Sequence, residues 1–270
     1  MPVKVVLVGC GNMGYAMLAG WLASGRLAPQ DVLVVEPTDV LRERAATLGV
    51  DAVADAGAIA EDVQPRLVIF AVKPQVILDI VPHYARFGGT ATYLSVAAGT
   101  PIAAFERALG NSAAVIRCMP NTPAAIGKGM MVVVANTHVG EETSAFVRDL
   151  LAASGEVATI DDEALMDAVT AVSGSGPAYV FHFIECLTAA AQKAGLPADT
   201  AKLLAMQTVH GAASLAAESS DEPGELRRQV TSPNGTTAAA LSVLMGENRL
   251  ENLVSEAVEA ARVRSVELGK

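Results

Sequence analysis

Short apolar runs recur along the first 160 residues, at 3–8, 32–35, 67–72, 92–96, 114–117 and 130–134, with a last one at 157–160. They are too short for buried helices and mostly lack polar alternation, so they predict strands covered on both faces. Between them lie segments whose apolar positions repeat every three or four residues, as in 15–22 and 141–153. This alternation predicts an α/β fold on a doubly wound parallel sheet. The runs at 130–134 and 157–160 extend that sheet, with antiparallel pairing left open.

Beyond residue 161 the strand pattern stops. Helical blocks follow at 163–172, 178–194, 198–217, 223–229 and 236–268, separated by Gly, Pro and Ser breaks. The expected division is therefore 1–162 for the sheet domain and 163–270 for a helical domain. Between residues 164 and 214 the charged side chains are Asp167, Glu185, Lys193, Asp199 and Lys202. Helices so apolar all round predict burial in a subunit interface, whereas a compact monomeric bundle would leave the sparse charge unexplained. The last helix, expected over 247–268, is amphipathic and more exposed.

Composition narrows the class. Apolar residues make up 51% of the 270 and aromatics 4%, which predicts an interior of alanine and valine. The longest weakly charged stretch, 168–184, is cut by Ser173-Gly174-Ser175-Gly176-Pro177, and no basic segment precedes an apolar one at the start. A cytoplasmic protein with no membrane span is expected. Cys10, Cys118 and Cys186 are odd in number and far apart, and the four histidines are scattered, so neither a disulfide framework nor a metal site is expected. A net charge of −10 argues against a nucleic-acid partner.

Candidate chemistry begins where the first apolar run meets Gly9-Cys10-Gly11-Asn12-Met13-Gly14. A strand feeding this glycine spacing and then a helix is the phosphate cradle of dinucleotide-binding folds. Gly9 permits the tight turn, Gly11 clears the way for a pyrophosphate, and Gly14 lets helix and strand approach; a plain strand-to-helix turn is the competing reading. Gly9, Gly11, Asn12, Met13 and Gly14 are thus expected to bind cofactor. Glu36, 22 residues after Gly14 and at the end of the second run, suits the adenosine ribose hydroxyls and so NAD. Thr38, Arg42 and Arg44 nearby would suit a 2′-phosphate instead. Ala71, Val72, Lys73 and Pro74 end one strand, and Ala97, Ala98 and Gly99 follow another, both placed to line the cofactor.

Three further segments stand out. Arg117-Cys118-Met119-Pro120-Asn121-Thr122-Pro123-Ala124 is a stiff loop whose composition assigns no role. Ser173 to Tyr179 starts a helix at Pro177 and allows close backbone approach; it is not a nucleophile elbow. Thr231-Ser232-Pro233-Asn234-Gly235-Thr236-Thr237 precedes a helix, so its hydroxyls and free N–H groups suit either a small carboxylate or an ordinary N-cap. Asp161, Asp162 and Glu163 could be paired carboxylates, but acids in the first turn of a helix match its dipole, and Asp161 and Asp162 are read that way.

Taken in order, these segments resemble the pyrroline-5-carboxylate reductase family over essentially the whole chain, the stretches at 173–179 and 231–237 being the specific ones. The resemblance implies a Rossmann domain, a helical dimerisation domain, dimers that can assemble into a decamer, and hydride transfer from NADPH or NADH to Δ1-pyrroline-5-carboxylate. It implies substrate contacts from Ser232, Gly235, Thr236 and Thr237, with the Gly235 and Thr236 N–H groups holding the carboxylate and Thr237 hydrogen-bonding the substrate, and a catalytic acid, Glu163, near the imino acid. Asn234 departs from the family's usual glycine and calls for a backbone that Asn tolerates, such as the left-handed region. The rival readings are a β-hydroxyacid dehydrogenase, for which Lys193 and Lys202 would be the lysine candidates, and a non-catalytic nucleotide sensor on the same fold.

Overall fold

A computed structural model describes residues 3–269. By internal contacts it divides into two compact units, one running to Ser175 and resuming at Ala261, the other spanning Gly176–Ala260. The first unit carries β1 (Val5–Val8), β2 (Val32–Val35), β3 (Asp51–Val53), β4 (Leu67–Phe70), β5 (Thr92–Ser95), β6 (Val115–Met119), β7 (Gly129–Ala135) and β8 (Gly155–Thr159). They form one sheet in the order β3-β2-β1-β4-β5-β6-β7-β8. Neighbours from β3 to β6 are parallel, β7 is antiparallel to β6, and β8 runs parallel to β7. The first six strands reproduce the 3-2-1-4-5-6 order of dinucleotide-binding sheets.

The side-chain period of two explains the continuous apolar runs. Val5 and Leu7 join one core with Val34, Ile69 and Leu94, against Met17, Leu18 and Trp21 of α1 (Asn12–Ala23). Val6 and Val8 join the opposite core with Val68, Phe70 and Tyr93. Each fully buried Val or Leu contributes roughly 1.5–3 kcal/mol relative to exposure, so sheet burial dominates this unit. Phe70, Tyr84, Phe87, Tyr93 and Phe105 gather on the second face, where the Phe70 ring meets Tyr84 edge-on at 5.4 Å and the Tyr93 hydroxyl donates to the Tyr84 carbonyl at 2.9 Å. Covering helices are α2 (Asp39–Ala46), α3 (Pro74–Ile80), α4 (Ile102–Leu109) and α5 (Glu141–Leu151).

Three local expectations change. Strand β3 has no counterpart in the predicted runs, because three half-exposed edge residues carry almost no periodic signal. The helix expected over 163–172 becomes a 3-10 turn at Glu163–Leu165, the short α6 (Met166–Val169) and a π-turn at Thr170–Gly174. Met166 is fully buried in the second sheet core, and Ser265 Oγ donates to Asp167 Oδ1 at 2.6 Å, which explains why the first compact unit extends past residue 162 and takes in the last turns of the chain.

The second unit contains α7 (Gly176–Lys193), α8 (Ala198–Glu218), α9 (Pro223–Gln229), α10 (Thr236–Met245) and the start of α11 (Arg249–Leu268). The single block expected over 236–268 breaks at Gly246, and the last helix begins at Arg249 instead of residue 247, because Glu247 and Asn248 take left-handed backbone at φ 56° and 54°. No residue of α7 is buried, while α8 buries Ala201 and Ala205. Phe181 is 58% exposed and Leu203 68% in the single chain. These helices have apolar faces that one copy leaves uncovered. Among the described residues no helix is long and apolar enough to cross a membrane.

Candidate active site

The site is built where β1, β2 and β4 end. Gly9 leaves β1 at φ +88°, and a Cβ there would fall 2.8 Å from the Ala71 carbonyl oxygen. A Cβ on Gly14 would fall 2.3 Å from the carbonyl oxygen of Gly9. At Gly11 the equivalent position meets nothing within 4 Å. Two glycines thus shape the turn, and the third leaves open the volume that a pyrophosphate needs. Helix α1 starts at Asn12 with no acid in its first turn, so its free N–H groups and positive dipole end face an anion without competition. The residues present fit a dinucleotide.

A cavity of about 500 Å³ opens beside this turn, lined by Gly9, Gly11, Glu36, Thr38, Ala71 and Lys73 among others. Glu36 is 5% exposed, and its two carboxylate oxygens accept from Cys10 N at 2.8 Å and Thr38 N at 2.9 Å. It therefore braces the glycine turn as well as facing the cavity. Both arginines are engaged by the protein, although Arg44 Nε is buried without a hydrogen-bond partner. Arg42 Nη1 donates to the Glu36 carbonyl at 2.8 Å while Nη2 pairs with Asp39 at 2.6 Å. Arg44 Nη2 donates to the Cys10 and Gly11 carbonyls at 3.0 and 3.2 Å, with its guanidinium 4.1 Å above the Tyr15 ring. By tying down those carbonyls, Arg44 fixes the orientation of the cradle. Burial pushes the Cys10 thiol up to about 11, against a smaller lowering by Arg44, and pushes Cys118 up to about 12. Both stay protonated and inert at neutral pH.

The other predicted cofactor residues are dispersed. Val72 lines the cavity with Ala71 and Lys73, and Pro74 opens α3 at its first position. Asn12 and Met13 face a separate cavity beside Tyr15 and Arg44. Ala97 is buried, its N–H donating to Ser95 Oγ at 3.2 Å. Neither Ala97, Ala98 nor Gly99 lines the main cavity; Gly99, at φ +73°, backs onto Leu268, whose carbonyl oxygen would lie 3.3 Å from a Cβ there.

Glu163 opens the 3-10 turn Glu163–Leu165. Its Oε1 accepts from Arg117 Nη1 at 3.0 Å and from Ile102 N at 2.9 Å, so it joins β6 to the start of α4. Sequence reasoning missed Arg117 and Asn121. A charge inside the apolar run 114–117 was the available signal for Arg117, since such a residue is buried only with a partner. Asn121 Oδ1 accepts from Met130 N at 2.9 Å while its Nδ2 donates to Ser173 O at 3.2 Å, tying the proline-flanked loop to the π-turn. Gly174 completes that contact, because a Cβ would fall 2.4 Å from Met119 Cε.

In the helical unit, residues 231–237 form the second candidate element. Asn234 takes φ 60°, the left-handed conformation expected for it. Gly235 N donates to Ser232 O at 3.1 Å, and a Cβ on Gly235 would fall 2.4 Å from Ser232 Oγ, so a side chain there would make the Ser232 hydroxyl rotate away. Thr231 Oγ1 is taken by the Arg227 carbonyl at 2.6 Å. Helix α10 then begins at Thr236 with no acid in its first turn. The N–H groups of Thr236 and Thr237 lie ahead of any intrahelical acceptor and suit a carboxylate. The Gly235 N–H, expected to share that role, is committed to its own turn.

Comparison with known proteins agrees with this geometry. Residues 163–268 match the family model for pyrroline-5-carboxylate reductase dimerisation, and residues 4–99 match a model described as NADP oxidoreductase coenzyme F420-dependent. The chain is 40% identical to pyrroline-5-carboxylate reductase of Pseudomonas aeruginosa over 99% of its own length and 97% of that protein, and 36% identical to the Escherichia coli enzyme over the full length of both. Among solved structures, a Coxiella burnetii pyrroline-5-carboxylate reductase superposes with a TM-score of 0.93 at 32% identity over 100% of both chains. A Plasmodium falciparum pyrroline carboxylate reductase with NADP bound gives a TM-score of 0.84 at 27% identity over 99% of this chain and 98% of that one. The dehydrogenase and sensor readings are not favoured by these matches. With the glycine cradle, the 231–237 loop and full-length similarity in agreement, the chain belongs to the pyrroline-5-carboxylate reductase family of NAD(P)H-dependent oxidoreductases.

Proposed function

We propose that this chain reduces Δ1-pyrroline-5-carboxylate to L-proline, the last step of proline biosynthesis. The observation that carries the reading is the pairing, in one chain, of a glycine turn open at Gly11 with a helix start at Thr236 suited to a small carboxylate. When bound, the reduced nicotinamide supplies hydride to C5 of the cyclic imine. The protonated imine is already electrophilic, so the protein's task is positioning and electrostatics. Thr236 and Thr237 hold the substrate carboxylate through their N–H groups, Thr237 adds its hydroxyl, and Ser232 shapes the loop. Glu163 is a positioning residue, since Oε1 is engaged by Arg117 and Ile102. The working unit is a homodimer formed through the helical region, consistent with its uncovered apolar faces, with dimers joining into a larger assembly such as a decamer. It acts in the cytoplasm.

Thr237→Ala tests the substrate role. Losing a hydrogen bond to a charged ligand costs about 1.5–3 kcal/mol, so kcat/KM should fall by roughly 10- to 100-fold while nucleotide affinity holds. Thr237→Ser should recover most of the loss. An unchanged kcat/KM in the alanine variant removes Thr237 from the site.

A further inference from the structure

We infer that this chain selects NADH over NADPH, and that Glu36 sets the choice. The inference rests on the reading above that the cavity holds a nicotinamide dinucleotide. NADPH differs from NADH by a phosphate on the adenosine ribose 2′-oxygen, so discrimination depends on the charges at the end of β2. There the structure offers a carboxylate that is 5% exposed and held in place by two backbone N–H groups, from Cys10 and Thr38. So near-complete a burial limits screening of its field by salt. A ribose with two free hydroxyls can donate to such a carboxylate. A 2′-phosphate can only repel it.

The two arginines that would otherwise welcome a phosphate bond to the protein itself, and neither lines the cavity. Arg42 is divided between the Glu36 and Pro37 carbonyls and the Asp39 carboxylate. Arg44 points to the carbonyls of Cys10 and Gly11 and lies over Tyr15, and a swing toward the ribose would release the glycine turn. Of the remaining charged groups that line the cavity, Asp55 adds a second negative charge, while Lys73 and His83 belong to segments that follow β4. Because β4 flanks β1 on the side away from β2, those two side chains stand across β1 from the ribose position. Thr38, exposed at the cavity rim, is the place where a cation would have to be added.

The test is direct titration of the purified full-length protein with NADH and with NADPH, followed by fluorescence or calorimetry in the absence of the imine. The expected result is NADH binding at least tenfold tighter than NADPH. Glu36→Gln should narrow that gap to about threefold or less by improving NADPH, and Thr38→Arg, which leaves the brace from Glu36 in place, should narrow it as well. NADPH binding as tight as NADH in the unaltered protein would overturn the inference, and so would a gap that neither variant changes. Binding of neither nucleotide would overturn the parent reading along with it, a result distinct from tight binding without preference.

Discussion

Gly14→Ala is expected to abolish useful nucleotide binding, raising the dissociation constant of either cofactor by about a hundredfold and lowering the thermal midpoint by several degrees. The added methyl would sit 2.3 Å from the Gly9 carbonyl oxygen and 3.2 Å from the Ala71 Cβ. The first neighbour is backbone, so no side-chain rotation relieves it; the turn and α1 must separate. Overpacking of this kind costs about 1–3 kcal/mol in stability, and the displacement also turns the phosphate-facing N–H groups out of register. Gly11→Ala provides the contrast. Its methyl meets nothing within 4 Å in the free protein, so stability should hold while the pyrophosphate space is lost. Titration and thermal melts of both variants check this pair, and normal affinity in Gly14→Ala would show that the turn is not the cradle.

The second large effect concerns Arg117. Its side chain is 7% exposed and its charge is matched by Glu163, 28% exposed, at 3.0 Å. Arg117→Met leaves that carboxylate with the Ile102 N–H in a half-buried setting. Breaking a buried ion pair from one side costs about 3–5 kcal/mol, and the partial exposure of Glu163 moves the expectation to about 2–3 kcal/mol. Glu163→Met in the same background should recover part of that loss, because it removes the stranded charge. Denaturant unfolding of the single and double variants measures both numbers. A cost below about 0.5 kcal/mol for Arg117→Met would mark the pair as an ordinary surface contact.

Much of the sheet was legible because strands covered on both faces need uninterrupted apolar runs, and few other elements tolerate them. The reading failed where local structure is imposed by tertiary contacts. Strand β3 exists as an edge beside β2, and its three residues pair there without periodicity of their own. The π-turn at Thr170–Gly174 depends on Met119 reaching Gly174 and Asn121 reaching Ser173, partners about fifty residues away in the chain. At the site, glycine geometry is local and so could be read directly: Gly9 makes its turn at positive φ, Gly14 packs against the Gly9 carbonyl, and Gly11 leaves open space. The fate of Glu36 could not be read that way. Whether its carboxylate meets a ribose, an arginine or the backbone depends on Cys10, 26 residues earlier, whose N–H it accepts. Asn234 lies between these cases, since its left-handed backbone follows from side-chain preference alone. Gly99 shows the opposite limit, as its neighbour Leu268 comes from the far end of the chain.

The central claim is that this chain reduces an imine with a dinucleotide held at Gly9 to Gly14. Mixing the purified protein with Δ1-pyrroline-5-carboxylate and either NADH or NADPH, and following both loss of the reduced nicotinamide absorbance and appearance of L-proline, tests it most directly. Oxidation of the cofactor with one proline formed per nucleotide consumed is the predicted result. No oxidation above background with either nucleotide would contradict the account.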